Sequence, residues 1–217
     1  ISNSPVYRGI KEIRTIRDAI PRLGLKETMN VVMAIANKSL YETKNPHYRL
    51  LMDKLWGHSI ATAFGAKLIG QHLKLSDVDT LFLMGLTHDV GKTFLLKAFS
   101  EEPTLKGMDM KLVVANIQEA HLGISTIMLK RWGFDEGFIR AVSLHEKNEF
   151  DSAVSMDCLV VNLANMLTRI IGYSIMEAAR IEPSELRSAS LLGIGPEMVL
   201  KLSEETKNHA RELSHLF

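Results

Sequence analysis

Four histidines and one aspartate are the residues of this sequence best suited to chemistry. His88 and Asp89 are adjacent and follow an uncharged run, residues 81–87, which is typical of a helix buried on every side. Burying an imidazole and a carboxylate there is costly unless a ligand or a hydrogen-bond network satisfies them. Imidazole nitrogens and carboxylate oxygens are both ligands of divalent metal ions. Three more histidines lie in helical segments: His58, His121 and His145.

Gly91 and Lys92 directly follow the His-Asp pair. If one helix carries this whole segment, Lys92 lies three residues after Asp89 and four after His88, so its ammonium group reaches both. The ammonium group could bind a phosphate or could neutralise Asp89, and the sequence leaves both alternatives open. Glycine costs about 1 kcal/mol relative to alanine inside a helix. We therefore expect a neighbouring element or a ligand to approach closely at Gly91.

Each histidine taken alone favours a structural interpretation, because a single His on an apolar helix is more often hydrogen-bonded than bound to metal. We hold this view of His121 and of His145 when either is considered by itself. The joint pattern with the His-Asp pair favours a shared site. The other four histidines have polar neighbours or lie near predicted helix ends, and we assign them to the surface: His47, His72, His209 and His215.

Composition narrows the classes of function. With 26 Lys and Arg against 25 Asp and Glu, the net charge of +1 gives no electrostatic attraction to nucleic acid or to an anionic membrane. Cys158 is the single cysteine, so the chain contains no internal disulfide and no cysteine-rich zinc site. We see neither a signal peptide nor an apolar run of the roughly 18 residues that span a bilayer. We predict a cytoplasmic protein.

Helical periodicity extends over nearly the whole chain, and no alternating strand pattern or hairpin dipeptide interrupts it. The fold class predicted is all-α. A loop is predicted at residues 100–109, which contain Pro103 and Gly107. The predicted helices cover about residues 10–23, 25–40, 48–72, a segment from Ser76 through the His-Asp pair, 110–132, 135–146, 152–171, a short piece from 183, and 196–217.

Apolar and small residues indicate how these helices pack. Small residues concentrated in the helix at residues 48–72 let neighbouring backbones approach, which is typical of a central helix. Ser76 and Asp79 have the spacing of a capping box at the start of the helix that leads to the His-Asp pair. In that helix we expect Leu81, Leu83, Met84 and Leu86 to be buried. The second helix carries an apolar stripe of Met29, Val32, Ala36 and Leu40.

Several stretches resemble the HD superfamily of metal-dependent phosphohydrolases, and more closely its HD-related output domain branch, HDOD. The similar segments are residues 1–9, 13–24, 55–59, 85–91, 121–134 and 145–146. The resemblance extends over the whole chain and implies an HD-like multi-helix bundle. It also implies that residues 1–217 form a single HDOD-like domain lacking the family's first helices. Because the chain begins without an initiator methionine, we expect a fragment or a processed form.

The resemblance further implies a set of metal ligands and one altered position. A final aspartate of the HD pattern aligns with Asn165, whose amide oxygen is a neutral and weaker ligand than a carboxylate. Asp157 lies eight residues earlier, about 12 Å along a helix at about 1.5 Å per residue, and cannot easily substitute. Glu146, which replaces the second His of a family His-His pair, has a different reach. The implied ligands of a divalent ion (Fe, Mn, Mg or Zn, not distinguished) are His58, His88, Asp89, His121 and His145.

Three functions fit these observations. The resemblance mainly implies a non-catalytic signalling or regulatory output domain with residual metal binding, a protein partner and a nucleotide as a further candidate ligand. The alternative is a metal-dependent phosphohydrolase or cyclic-nucleotide phosphodiesterase that uses His58, His88 and Asp89, with Lys92 and Asp89 as its catalytic residues. In the third, the polar residues form a satisfied buried network and bind nothing. Asn165 favours the signalling function, because losing a carboxylate weakens a catalytic metal site.

Overall fold

Helices form nearly all of the regular structure of the described chain, which contains no strand. The structure is a computed structural model that describes residues 2, 7, 9, 12–102, 108–175 and 181–214, with side chains in the last helix to Arg211. The all-α prediction is confirmed. The helices are α1 Ile16–Leu23, α2 Leu25–Lys38, α3 Pro46–His72, α4 Val78–Thr87, α5 Val90–Glu101, α6 Met110–Arg131, α7 Glu136–Ser143, α8 Met156–Ile170, α9 Arg187–Leu191 and α10 Pro196–Ser214, with 3-10 turns at Ser39–Tyr41 and Pro183–Glu185.

Helix α3 is the centre of the bundle and packs against α4, α8 and α10. Every residue from Leu55 to Ala66 is buried. Small side chains make this packing close: a Cβ added at Gly85 of α4 would lie 2.7 Å from the backbone oxygen of Thr62. Glycine at this position therefore lets α4 lie directly on the backbone of α3, which fixes the end of α4 beside the middle of α3.

Two apolar clusters lie along α3. One contains Ala66 and Ile69 from its second half together with residues of α7, α8 and α10. The other contains Met52 and Leu55 from its first half with Tyr41, Leu96 and Ile117. Because both clusters contain residues of α3 and α4, these two helices are fixed from both sides. Polar side chains on the inner faces of the helices meet between them.

The segment that carries the His-Asp pair is two helices rather than the single helix predicted. Helix α4 ends at Thr87, and Asp89 (φ −103°, ψ 18°) is the N-cap residue of α5. The start of α4 also differs from the predicted capping box, because Asp77 accepts the hydrogen bond from the Thr80 amide. Asp79 instead accepts a hydrogen bond from the Asn30 side chain at 2.7 Å. The break turns His88 and Asp89 towards the bundle interior.

The apolar stripe predicted on α2 faces outward over most of its length. Helix α2 buries only Asn30 and Ala34 among its described side chains. It contacts the bundle through polar pairs, Asn30 with Asp79 and Lys67 with Glu27. Apolar side chains that a core-facing helix would bury are exposed here: Leu25, Met29, Val32, Met33 and Ile35.

Helix α6 is long and apolar enough to cross a membrane, by length and composition only, which the sequence analysis did not anticipate. In the structure α6 packs along α5 and against α7. Its buried residues include His121 and Ser125 as well as Val113, Ile117 and Leu129. Packing in the bundle thus accounts for part of its apolar character. The expectation that the protein does not act at a membrane stays a prediction.

Truncating Leu86 should destabilise the fold strongly. Leu86 is fully buried, and Leu81 and Met84 are nearly so. Leu83 is only partly buried, contrary to expectation. We expect Leu86→Ala to lower the free energy of unfolding by about 2–5 kcal/mol, because the cavity left behind cannot fully collapse. Leu83→Ala should cost less and is the matched control. Urea denaturation measures both; a loss below about 1 kcal/mol for Leu86→Ala would contradict a central α4.

Candidate metal centre

Five residues from four parts of the fold converge between the two apolar clusters. His58 lies in the middle of α3, His88 and Asp89 lie at the α4–α5 junction, and His121 lies on α6. His145 lies in the turn that follows α7, outside a helix. All five are at most 5% exposed. The structure therefore brings together every residue that the sequence analysis named as a candidate metal ligand.

The backbone orients all four imidazole rings in the same way. In each ring Nδ1 lies 2.6–2.9 Å from a backbone carbonyl oxygen. Since a carbonyl oxygen only accepts hydrogen bonds, each Nδ1 carries a hydrogen and donates it. The neutral form of each ring then carries its lone pair on Nε2, the orientation that metal-binding histidines usually adopt. The pairs are His58 with Tyr173, His88 with Gly85, His121 with Gln118 and His145 with Val142.

Asp89 lies between two pairs of imidazoles. Its Oδ2 atom is 3.5 Å from Nε2 of His58 and 3.4 Å from Nε2 of His88. Its Oδ1 atom is 3.6 Å from Nε2 of His121 and 3.3 Å from Nε2 of His145. The cluster therefore has two halves that share one carboxylate, and each half offers two nitrogens and an oxygen.

The donor atoms of this cluster fit a divalent ion. Nitrogen ligands bind zinc at about 2.0–2.1 Å, so two of them on one ion lie about 3.0–3.4 Å apart. Nε2 of His58 and Nε2 of His88 are 3.0 Å apart. In the other half, Nε2 of His121, Nε2 of His145 and Oδ1 of Asp89 are buried and have no hydrogen-bond partner among the described residues. Buried polar atoms without a partner are costly, and a bound ion would satisfy them.

Burial and charge give the four histidines different protonation states in the metal-free site. Burial, assisted by the neighbouring His88, lowers the pKa of His58 to about 3. Burial also lowers the pKa of His121 to about 4 and lowers that of His88. For His145 burial acts in the same direction, but the neighbouring carboxylates of Asp89 and Glu146 outweigh it and raise the pKa to about 9. Without a metal, His145 therefore holds the proton of the cluster.

Lys92 neutralises the carboxylates of the site. Its Nζ atom is buried and lies 3.0 Å from Asp89 Oδ2 and 3.1 Å from Glu146 Oε1. Burial acts to lower the pKa of Lys92, but these two carboxylates raise it above its ordinary value. Burial acts to raise the pKa of Asp89, but Lys92 and His88 hold it well below the usual range. Of the two roles open to Lys92, neutralising Asp89 is the one seen in this geometry.

Asn165 occupies the position where the resemblance places a final carboxylate. It lies on α8 and lines the cavity beside the cluster. Its amide nitrogen donates to the backbone oxygen of His145 at 3.1 Å, which leaves the amide oxygen for the cavity. Asn162, one turn earlier, donates to the same oxygen at 3.0 Å and to that of Lys147 at 2.8 Å. The two amides hold the turn that presents His145.

A cavity of about 160 Å³ opens from the cluster. Glu146, expected to have a different reach from a histidine, places Oε1 3.7 Å from Nε2 of both His121 and His145. Its other oxygen accepts a hydrogen bond from Gln118 at 2.6 Å. Five residues of the cavity wall were not predicted from the sequence, because nothing in their spacing connects them to the motifs: Gln118, Asn148, Arg169, Ser174 and Ile175.

Comparison with known proteins identifies the family of this chain. The sequence profile of the HDOD domain matches residues 1–148, more than half of the chain. This chain belongs to the HDOD family. It is similar over its full length to a solved HDOD domain protein of unknown function from Geobacter sulfurreducens, with 22% sequence identity and a TM-score of 0.77, and covers 79% of that chain.

Two other solved structures share the fold. One, from Shewanella amazonensis SB2B, is named as a candidate metal-dependent phosphohydrolase; 96% of this chain matches 77% of it, with 19% identity and a TM-score of 0.71. The other, from Marinobacter aquaeolei VT8, is named as a candidate signal transduction protein; 99% of this HDOD chain matches 49% of it, with 16% identity and a TM-score of 0.69. A search of curated protein sequences finds no significant match.

Proposed function

We propose that this HDOD protein is a signalling output domain whose buried His/Asp cluster binds a divalent metal ion without hydrolysing a phosphodiester. The observation that carries the proposal is the environment of Asn165. Its amide nitrogen donates to the carbonyl of His145, so this position supports the fold and supplies no negative charge. A hydrolytic site needs ligand charge to hold its ion with a position open to water.

The residues that would hold the metal are His58, His88, Asp89, His121 and His145. When bound, a divalent ion supplies Lewis-acid charge to whatever enters the cavity. The chain itself orients the donors through the four backbone carbonyls and buries the Nε2 atoms of His121 and His145. Lys92 keeps Asp89 ionised, and Asp89 is the donor that both halves of the cluster share. Such a centre ties α3, the α4–α5 junction, α6 and the turn after α7 together.

We propose that a protein partner in the cytoplasm recognises whether this centre holds a metal ion. The support is architectural: the cluster joins elements from separate parts of the chain, so a bound ion would stabilise their packing as a unit. A ligand that binds only the folded state stabilises it by about 2.7 kcal/mol at a hundredfold excess over its Kd. A change of this size is sufficient to alter the population of a conformation that a partner recognises.

The alternative function is that of a metal-dependent phosphohydrolase or cyclic-nucleotide phosphodiesterase. One observation favours it: the cluster opens to a cavity into which His58, Asp89 and Lys92 face together. In this function Asp89 and Lys92 would be catalytic, with Lys92 holding the phosphate. Lys92 would then have to exchange at least one of its two carboxylate partners for the substrate.

Asn165→Asp separates these functions and should change stability with opposite sign in two conditions. In EDTA we expect a lower Tm, because the new carboxylate faces the carbonyl of His145 and adds negative charge near Asp89. With excess Mn²⁺ or Zn²⁺ we expect the variant to bind metal more tightly than the wild type does. Its Tm should then be higher by about 5–10 °C than its own Tm in EDTA, since the metal ion satisfies the added ligand charge. Differential scanning fluorimetry and metal content by mass spectrometry measure both.

Asn162→Asp is the matched control for this change. Asn162 holds the same turn from the same helix but is not among the described residues that line the cavity. It should lower Tm equally with and without metal. If Asn165→Asp behaves in the same way, the cluster binds no metal and is a structural network. If the metal-loaded wild type hydrolyses bis(p-nitrophenyl) phosphate, the phosphohydrolase function replaces the one proposed.

A further inference from the structure

Arg169 lies at the cavity beside the metal cluster and forms no ion pair with a described residue. It is four residues after Asn165 on α8, so both side chains project from the same face of that helix. Both line the cavity of about 160 Å³. Arg169 is half-buried, and its guanidinium group has no hydrogen-bond or ion-pair partner among the described residues. Five N–H donors are thus available at the cavity wall.

Lys92, the other cation of the cavity, is already paired with two carboxylates. Its ammonium group contacts Asp89 and Glu146 at 3.0 and 3.1 Å. The lining residues with formal charge are therefore two carboxylates, Asp89 and Glu146, and two cations, Lys92 and Arg169. With neutral imidazoles these charges balance, and a divalent ion would leave an excess of two positive charges. This excess matches the charge of a phosphate dianion.

The size and chemistry of the cavity restrict its ligand. Drug-sized ligands occupy pockets of about 300–1,000 Å³ with mainly apolar and aromatic walls, whereas this cavity measures about 160 Å³. Ile175 is the single apolar side chain among its described lining residues, and those residues include no Phe, Tyr or Trp on which a base could stack. A larger neighbouring cavity is lined by Lys54, Trp56 and Tyr173, but the two share only Ser174 among described residues.

We propose that Arg169 is the specificity-determining residue of this site and selects a small dianionic oxyanion, inorganic phosphate or a small phosphomonoester, rather than a nucleotide. Guanidinium groups bind phosphate oxygens through paired, charge-assisted hydrogen bonds. The inference rests on the proposed function in taking the cavity as the ligand-binding face of the metal centre. It narrows that function, because a nucleotide was among the candidate ligands of the sequence analysis.

The test measures binding of inorganic phosphate by isothermal titration calorimetry, to protein in EDTA and to protein loaded with Mn²⁺. Metal should tighten binding in the wild type, since it supplies the excess positive charge. Arg169→Ala should weaken phosphate binding about tenfold or more while leaving metal content unchanged. Arg169→Lys should recover only part of the affinity, because lysine lacks the paired donors. Glycerol phosphate in place of phosphate distinguishes the phosphomonoester from the free ion.

Two further variants serve as controls. Arg131→Ala removes an exposed arginine at the end of α6 and should not change phosphate affinity. Lys54→Ala alters the neighbouring cavity and should also have no effect. Equal phosphate affinity in wild type and Arg169→Ala would overturn the proposal. Tighter binding of a cyclic dinucleotide than of phosphate, or a loss of affinity in Lys54→Ala, would overturn its size limit.

The outcomes also separate this inference from the proposed function. If metal binds but phosphate does not, the specificity proposal fails while the metal centre stands. If phosphate binds through Arg169 but no metal is retained, the metal centre fails and the anion site stands.

Discussion

Asp89→Asn is expected to abolish tight metal binding and to destabilise the metal-free protein. Among the described residues, Asp89 is the one that faces both pairs of imidazoles, so its loss affects both halves of the cluster at once. Replacing a residue that merely orients a metal ligand lowers metal affinity about 10–100-fold. For Asp89 itself we expect a loss of at least about a hundredfold. Metal titration followed by calorimetry, with metal content of the purified protein, measures this.

The effect on stability has a separate cause. Breaking one partner of a buried ion pair costs about 3–5 kcal/mol because it leaves a buried charge uncompensated. Asp89→Asn leaves the Lys92 ammonium with Glu146 as its remaining carboxylate partner. Urea denaturation in EDTA should show this loss in the free energy of unfolding. Asp53→Asn, which changes an exposed aspartate on α3, is the control and should leave both metal affinity and stability unchanged.

The loss of stability in Asp89→Asn should also depend on pH in a defined direction. The folded pKa of Asp89 is depressed, so its stabilisation is present above the ordinary value of 3.8 and is lost as pH falls below it. The folded pKa of His145 is raised from 6.5 to about 9, so its stabilisation is present below 6.5 and is lost as pH rises towards 9. In EDTA the difference between wild type and Asp89→Asn should therefore be largest between about pH 4 and 6.5. A constant difference from pH 3 to 9 would contradict this coupling.

The sequence predicted the fold class because that class depends on local patterns, whereas the full set of candidate ligands came from the family resemblance. Helical periodicity is readable from consecutive residues, and His88 with Asp89 is a rare pair in an apolar run. Outcomes that depend on tertiary contacts were not predictable in this way. The periodicity cannot show that α4 ends at Thr87 and that Asp89 is the N-cap residue of α5, because such a break depends on contacts with other helices.

Two other features of the structure were not predicted because they also depend on tertiary contacts. The apolar stripe of α2 predicts a buried face, yet Met29 and Val32 are exposed while Asn30 contacts Asp79. The reason is that long-range contacts determine which side of α2 faces the bundle. Arg169 was not identified because its relation to Lys92 exists only once α5 and α8 line the same cavity. Asn162 and Asn165 are three residues apart on α8, and the amides of both hold the turn at His145.

Gly91→Ala should disrupt both the fold and the metal centre. The expectation of close approach at Gly91 is met in the structure: an added Cβ would lie 2.1 Å from the backbone oxygen of His121 and 2.7 Å from Ser125 Oγ. A backbone oxygen cannot turn aside as a flexible side chain does, so α5 and α6 must separate. Ordinary overpacking costs about 1–3 kcal/mol, and we expect more than about 3 kcal/mol here. Displacing α6 also moves His121 away from Asp89.

Gly123→Ala on the neighbouring helix is the matched control and should have the opposite sign. Gly123 lies within α6, and a Cβ added there meets nothing within 4 Å. Alanine is favoured over glycine inside a helix by about 1 kcal/mol, so this variant should be slightly more stable and bind metal as the wild type does. Urea denaturation and metal titration of the two variants test the pair.

A cost below about 1 kcal/mol for Gly91→Ala, with unchanged metal affinity, would show that α5 and α6 are free to separate. The contact between Gly91 and the carbonyl of His121 would then not be what holds His121 in the cluster. Should Gly91→Ala prove too unstable to purify, Ser125→Ala probes the same contact more gently. Ser125 Oγ accepts the Gly91 amide hydrogen bond at 2.9 Å, so its loss should weaken metal binding less than Gly91→Ala does, with the helices still packed.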